Sequence, residues 1–143
     1  MSHTFSVCKN CQSLNKADSD RALKGEAVCG KCGKSLSFHG LVSEVSTEDF
    51  RRIIKKSDIP VIVDFWASWC GPCKMYGPEF EKASRMDKNA VFLKVNTETE
   101  QLLSSELGIR GIPCTIIFSG GKEVRRESGA MSAQQISSLV PRS

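Results

Sequence analysis

The cysteines carry the chemistry of this chain. There are seven: Cys8 with Cys11, Cys29 with Cys32 and Cys70 with Cys73 form three CxxC pairs, and Cys114 stands alone. Two thiols at that spacing suit reversible dithiol–disulfide exchange or metal ligation, and context separates the two. Trp69-Cys70-Gly71-Pro72-Cys73 directly follows the apolar run Val61-Ile62-Val63-Asp64-Phe65-Trp66-Ala67. A strand that delivers two cysteines to the start of a helix is the layout of a redox site. The other two pairs lie among lysines and glycines and are separated by 17 residues. That arrangement matches a tetrahedral four-thiolate zinc site of the ribbon type, Cys8, Cys11, Cys29 and Cys32 being the ligands. Iron accepts the same geometry, and four free or disulfide-paired cysteines in a disordered tail are the alternative.

The rest of the chain must position these groups. Residues 1–40 offer few large apolar side chains, Leu14, Leu23, Val28 and Leu36 being most of them, so a metal is the expected support. They carry six Lys/Arg and three Asp/Glu, a positive excess that offsets four thiolates around one Zn²⁺. Gly33 suits the positive φ that such a knuckle requires. His3 and His39 lie near this module, but four cysteines already fill a tetrahedral site, so both are read as exposed or packing residues. The chain divides near His39-Gly40 into a zinc-ribbon-like module, 1–40, and a second domain, 41–143.

Residues 41–143 alternate strand and helix patterns. Strands are expected at 41–45, 59–66, 90–95, 114–118 and 123–126, the last two joined by a Gly120-Gly121 hairpin turn. Ser46 with Asp49, Thr97 with Glu100, and Ser132 with Gln135 read as helix-capping pairs. Tyr76, Phe80 and Ala83 would line the inner face of the helix that starts at the cysteines, and Pro78 predicts a kink in it. Met75, Met86 and Met131 read as fillers. The β-α-β start and the late hairpin together predict an α/β fold with a mixed central sheet flanked by helices.

Placing Cys70 at a helix N-terminus favours its thiolate, because unpaired N–H groups and the positive dipole end face it. Cys73, one turn on and expected to lie deeper, is placed to attack a mixed disulfide formed at Cys70. Pro72 fixes φ in the first turn. Asp64 interrupts an apolar strand, where desolvation should raise its pKa and let it accept the Cys73 proton. A solvated Asp on an edge strand is the other reading.

Composition excludes several classes. The apolar share of 40% and charged share of 25% are ordinary for a soluble globular protein, and the net charge is +4. The cationic pairs Arg51-Arg52 and Lys55-Lys56 do not by themselves indicate nucleic acid. The N-terminus lacks the pattern of a secretion signal and no apolar run approaches the ~20 residues of a membrane span. A soluble cytoplasmic monomer without structural disulfides is expected. Leu139-Val140-Pro141-Arg142-Ser143 is similar to part of a thrombin cleavage site. No dinucleotide fingerprint is present.

Order and motifs together resemble the thioredoxin family over residues 41–143, through Trp69-Cys70-Gly71-Pro72-Cys73, Asp64, Gly111-Ile112-Pro113 and Gly129-Ala130. With the four-cysteine module in front, the chain resembles the zinc-binding bacterial thioredoxin-2 type. The resemblance implies a thioredoxin fold and protein-disulfide reductase activity through Cys70 and Cys73, serving electron transport and cell redox homeostasis. It implies a cis-proline at Pro113 and a substrate groove built by Trp69, Gly71, Pro72, Ile112, Pro113 and Gly129. Lys94 would lie beside Asp64 and modulate it, while Trp66 would be scaffold. The implied partners are a thioredoxin reductase, which brings NADPH and FAD, and oxidised protein substrates such as disulfide-forming reductases. The zinc module would be structural or redox-sensing. The family's usual threonine after the proline is replaced by Cys114, either a third reactive thiol or a small buried strand residue. A zinc-dependent interaction module, with the second domain acting as scaffold or chaperone, is the competing function.

Overall fold

The structure is a computed structural model and describes residues 3–38 and 40–141. The reading of His39, and the Arg142-Ser143 end of the cleavage-site resemblance, lie outside the described residues. Twelve elements follow in order: β1 (His3–Val7), β2 (Leu14–Asp18), α1 (Ser19–Leu23), β3 (Val42–Glu44), α2 (Thr47–Lys56), β4 (Val61–Trp66), α3 (Gly71–Met86), β5 (Val91–Asn96), α4 (Gln101–Glu106), β6 (Cys114–Ser119), β7 (Lys122–Ser128) and α5 (Ala133–Leu139).

Strands β3 to β7 form one sheet in the order β3-β5-β4-β6-β7. β5 pairs in parallel with β3 and β4, whereas β6 pairs antiparallel with β4 and β7. This is the mixed sheet that the pattern predicts. Period-two alternation sorts its side chains. Val61, Val63 and Phe65 join Phe50 and Ile53 of α2 and Leu103 of α4 on one face. Ile62 joins Tyr76, Phe80 and Ala83 of α3 and Ile136 of α5 on the other. β4 is buried on both faces because helices cover both. β7 is an edge strand whose Lys122, Glu123 and Arg125 are exposed, a pattern that discourages edge pairing.

Two of the three capping pairs form as expected. Ser46 Oγ accepts from Asp49 N at 3.2 Å, and Ser132 with Gln135 makes a reciprocal box. The third does not. α4 begins after Glu100, without a side-chain cap bond. The Glu100 carboxylate instead accepts Thr47 N at 2.8 Å and Thr47 Oγ1 at 2.9 Å, tying α2 to α4. The methionines also depart from expectation: Met75 and Met86 are exposed, and only Met131 packs on the core.

The N-terminal module is a β1–β2 hairpin, α1 and two cysteine knuckles around a small cluster of Cys8, Ala17, Ala22, Ala27, Cys29, Leu36 and Leu41. Leu23 and Val28 are exposed, so its own core is indeed small. Phe5 is the unexpected element. It belongs to the core of the larger domain, together with Val45, Phe50 and Leu93. Its carbonyl accepts Ser43 Oγ of β3 at 2.8 Å, so β1 seals the otherwise open β3 edge. The connection is equally tight. Leu41 N donates to Ser84 Oγ of α3 at 2.9 Å, and Lys88 pairs with Asp20. A Cβ at Gly40, where φ is +64°, would meet the Glu81 carbonyl at 3.0 Å. Only glycine fits both the backbone angle and that space.

Candidate active site and metal site

β4 delivers the chain to the sheet's end, and Cys70 becomes the N-cap of α3. Its Sγ accepts Cys73 N at 3.2 Å, and Cys70 N closes a turn on Ala67 O at 3.2 Å. Cys70 and Cys73 are joined by a disulfide, with Cα atoms 5.3 Å apart. In the reduced state the same N–H and the helix dipole face the Cys70 sulfur and favour its thiolate. The two residues do not differ in depth as expected: Cys70 is 3% and Cys73 5% exposed. They differ in what surrounds them. Cys70 Sγ lies 3.6 Å from Ile112 O, whereas Cys73 lines a cavity of about 290 Å³ with Asp64, Trp66, Ser68 and Lys94.

Asp64 is 3% exposed, and its Oδ1 is buried without a hydrogen-bond partner. Burial pushes its carboxyl up to about 7, with the charge of Lys94 pulling the other way. Lys94 stands opposite Asp64 in the β4–β5 register. Its ammonium, however, lies 3.9 Å from Glu44 and 5.2 Å from the Trp66 ring centroid, and reaches Asp64 as a field. A raised carboxyl binds its proton more tightly in the folded state. It therefore lowers stability as pH rises from about 4 to about 7, and the loss levels off above that. Raising the carboxyl from 3.8 to about 7 corresponds to roughly 4 kcal/mol. Asp64→Asn is expected to stabilise the fold by up to about that amount above pH ~7 and far less near pH ~4. Urea denaturation at both pH values checks this, and an equal gain at both would contradict it.

Ile112 packs against Cys70 and Cys73. The Ile112–Pro113 peptide is cis, and Gly129 N donates to Pro113 O at 2.9 Å. Trp69 is 71% exposed beside Cys70. Gly71 and Pro72 form the first turn of α3. Cys114 is buried on the Phe65 face of the sheet, and burial pushes its thiol up, the chemistry of an inert core residue. Residue spacing gave no sign of one contact, between Ser68 and Glu98, 30 positions apart.

The remaining cysteines form a second site. The Sγ atoms of Cys8, Cys11, Cys29 and Cys32 all lie within 4.8 Å of one another. Cys8–Cys32 and Cys11–Cys29 are each 3.6 Å apart. A tetrahedral ion ~2.3 Å from each sulfur sets them ~3.8 Å apart, so the four are positioned to bind a metal ion. Supporting donors are in place. Asn15 Nδ2 lies 3.5 Å and Lys31 N 3.4 Å from Cys29 Sγ, and Asn10 Nδ2 lies 3.6 Å from Cys32 Sγ. The Cys32 backbone N–H, then Asn15 and the Lys31 N–H, hold the Cys29 thiol down to about 6. The knuckles are alike in backbone: Gln12 N bonds Cys8 O as Gly33 N bonds Cys29 O, both residues at positive φ. Gln12 takes the conformation that sequence reading assigns to Gly33 alone. His3 is not a ligand; it stacks edge-on Phe5 and pairs with Asp58 at 3.5 Å.

A dithiol at a helix N-terminus, a buried carboxyl behind it and a cis-proline beside it define a thiol–disulfide exchange site on an α/β fold. The thioredoxin family profile matches residues 41–142, and the chain belongs to that family. It is 34% identical over 130 residues to "Thioredoxin C-3" of Corynebacterium nephridii, covering 91% of this chain and 88% of the relative. Spinach chloroplast thioredoxin f is 33% identical with a TM-score of 0.65, covering 70% of this chain and 91% of the other. A structure described as a complex of ferredoxin:thioredoxin reductase with thioredoxin f2 is 32% identical with a TM-score of 0.65, covering 70% of this chain and 93% of the other. The activity these likenesses support is that of a protein-disulfide oxidoreductase. Among the described residues no helix is long and apolar enough to cross a membrane.

Proposed function

We propose that this protein reduces protein disulfides, with Cys70 as nucleophile and Cys73 as resolving thiol. The observation that carries the reading is the shared cavity of Cys73 and Asp64 behind a Cys70 that caps α3. The Cys70 thiolate attacks one sulfur of the substrate disulfide. A Cys70–substrate disulfide forms and the other substrate sulfur leaves as a thiolate that takes a proton from water. Asp64 accepts the Cys73 proton, Cys73 attacks Cys70, and the second substrate thiolate departs. Two electrons pass from the dithiol to the substrate. A carboxyl near 7 suits that acceptor role at neutral pH. Lys94 tempers it by its charge. Trp69, Gly71, Pro72, Ile112, Pro113 and Gly129 would seat an extended substrate segment along the cis-proline loop.

The oxidised pair is returned to the dithiol by a reductase, consistent with the relative described in complex with one. NADPH and FAD belong to that partner. In the N-terminal module, 1–40, Cys8, Cys11, Cys29 and Cys32 hold a structural Zn²⁺, which replaces a hydrophobic core the alanine-lined cluster cannot supply. The protein is read as a cytoplasmic monomer, and a net charge of only +4 offers no basic footprint for nucleic acid. Insulin reduction with NADPH and a thioredoxin reductase tests the function. Turnover is expected; its absence with intact, metal-loaded protein would overturn the reading.

A further inference from the structure

The turn that presents Cys70 is held from outside. Ala67, Ser68 and Trp69 link β4 to α3 with no regular backbone pairing of their own, and Ser68 and Trp69 are exposed. Two residues of the loop after β5, Thr97 and Glu98, grip the segment through four hydrogen bonds. Thr97 N and Thr97 Oγ1 donate to Trp66 O at 2.8 and 3.1 Å, fixing the end of β4. One oxygen of Glu98, Oε1, accepts both Ser68 N at 2.7 Å and Ser68 Oγ at 2.6 Å. Glu98 is itself aimed by its backbone, whose N–H donates to Asn96 Oδ1 at 2.8 Å. Ser68 also lines the cavity that holds Asp64 and Cys73.

We propose that Glu98 is a positioning residue for Cys70: through Ser68 it fixes the turn that aims the reactive sulfur between Cys73 N and the Ile112 carbonyl. The proposal rests on Cys70 being the nucleophile. The argument is geometric. Cys70 must keep its sulfur on the Cys73 N–H while facing the cis-proline loop. Its backbone is set by the Ala67–Cys70 turn, and Ser68 is the residue of that turn held by a side chain from another element. Exposed bonds of this kind add little to global stability, whereas a misplaced reacting atom costs up to ~10²-fold in rate.

Three variants test this: Glu98→Ala removes both bonds, Glu98→Gln keeps an acceptor oxygen without the charge, and Ser68→Ala removes only the hydroxyl bond. The readouts are kcat/KM for insulin reduction, the pH profile of Cys70 alkylation in the reduced protein, and the melting temperature. Glu98→Ala is expected to lose about tenfold in kcat/KM and to move the alkylation midpoint upward, with the melting temperature near wild type. Glu98→Gln should stay within about twofold of wild type, and Ser68→Ala should fall between the two. Wild-type rate and midpoint in Glu98→Ala would overturn the proposal. So would Glu98→Gln losing as much as Glu98→Ala, since charge rather than the bonds would then be acting. Should Glu98→Ala not fold, the order of Glu98→Gln and Ser68→Ala decides. A wild type that reduces no insulin overturns the functional reading itself, whereas turnover beside an unaltered Glu98→Ala overturns this proposal alone.

Discussion

Cys73→Ser is expected to stall with substrate covalently attached through Cys70, while Cys70→Ser captures none and loses turnover by three orders of magnitude or more (~10³-fold). The asymmetry follows from the surroundings of the two sulfurs. Cys70 caps α3 and lies against the cis-proline loop, where a substrate disulfide would arrive. Cys73, buried to the same degree, lines the cavity that holds Asp64, which places it to lose its proton there and act on what Cys70 has bound. Removing Cys73 leaves attack intact but deletes resolution. Non-reducing electrophoresis of each variant mixed with oxidised substrate, followed by peptide mapping, reads the outcome. Equal trapping by both variants would mean that either thiol can attack.

Phe5→Ala is expected to destabilise the larger domain by about 3–5 kcal/mol, although Phe5 lies in the metal module. Phe5 is 4% exposed and packs in the cluster formed by Val45, β4 to β6, α2 and α4. Truncation would leave a cavity there, while the Phe5 backbone carbonyl that accepts Ser43 Oγ would remain. Guanidinium denaturation of the metal-loaded protein measures it, read by a probe in the larger domain. A change below about 1 kcal/mol would show that the module rests on the domain without completing its core. Ser84 on α3 holds Leu41 as well, so the module touches the helix that carries the reactive pair.

Much of this was legible in sequence, for identifiable reasons. The alternation of Val61, Val63 and Phe65 against Ile62 and Asp64 declares a strand buried on both faces, and the charged residue in it declares itself by being out of place. The doubled CxxC spacing declares the four-cysteine cluster, placed to bind a metal ion, because such geometry depends on local turns. What escaped depends on contacts distant in the chain. Phe5 looks like a stray aromatic in a polar segment until β3 is placed beside it. Thr97 and Glu100 have the spacing of a capping pair, yet Thr47 captures the carboxylate from 53 positions away. Glu98 and Ser68 meet only because β4 and β5 are parallel neighbours ending at the same side of the sheet. Met75 and Met86 show that apolar type alone does not assign a residue to a core.

The most direct test of the central claim is a single turnover. Fully reduced, metal-loaded protein is mixed with insulin below one disulfide per protein, quenched with an alkylating agent and mapped. The expected result is a Cys70–Cys73 disulfide, with Cys114 and the four module cysteines recovered as thiols. A disulfide among Cys8, Cys11, Cys29 and Cys32, with Cys70 and Cys73 still alkylated, would contradict the account.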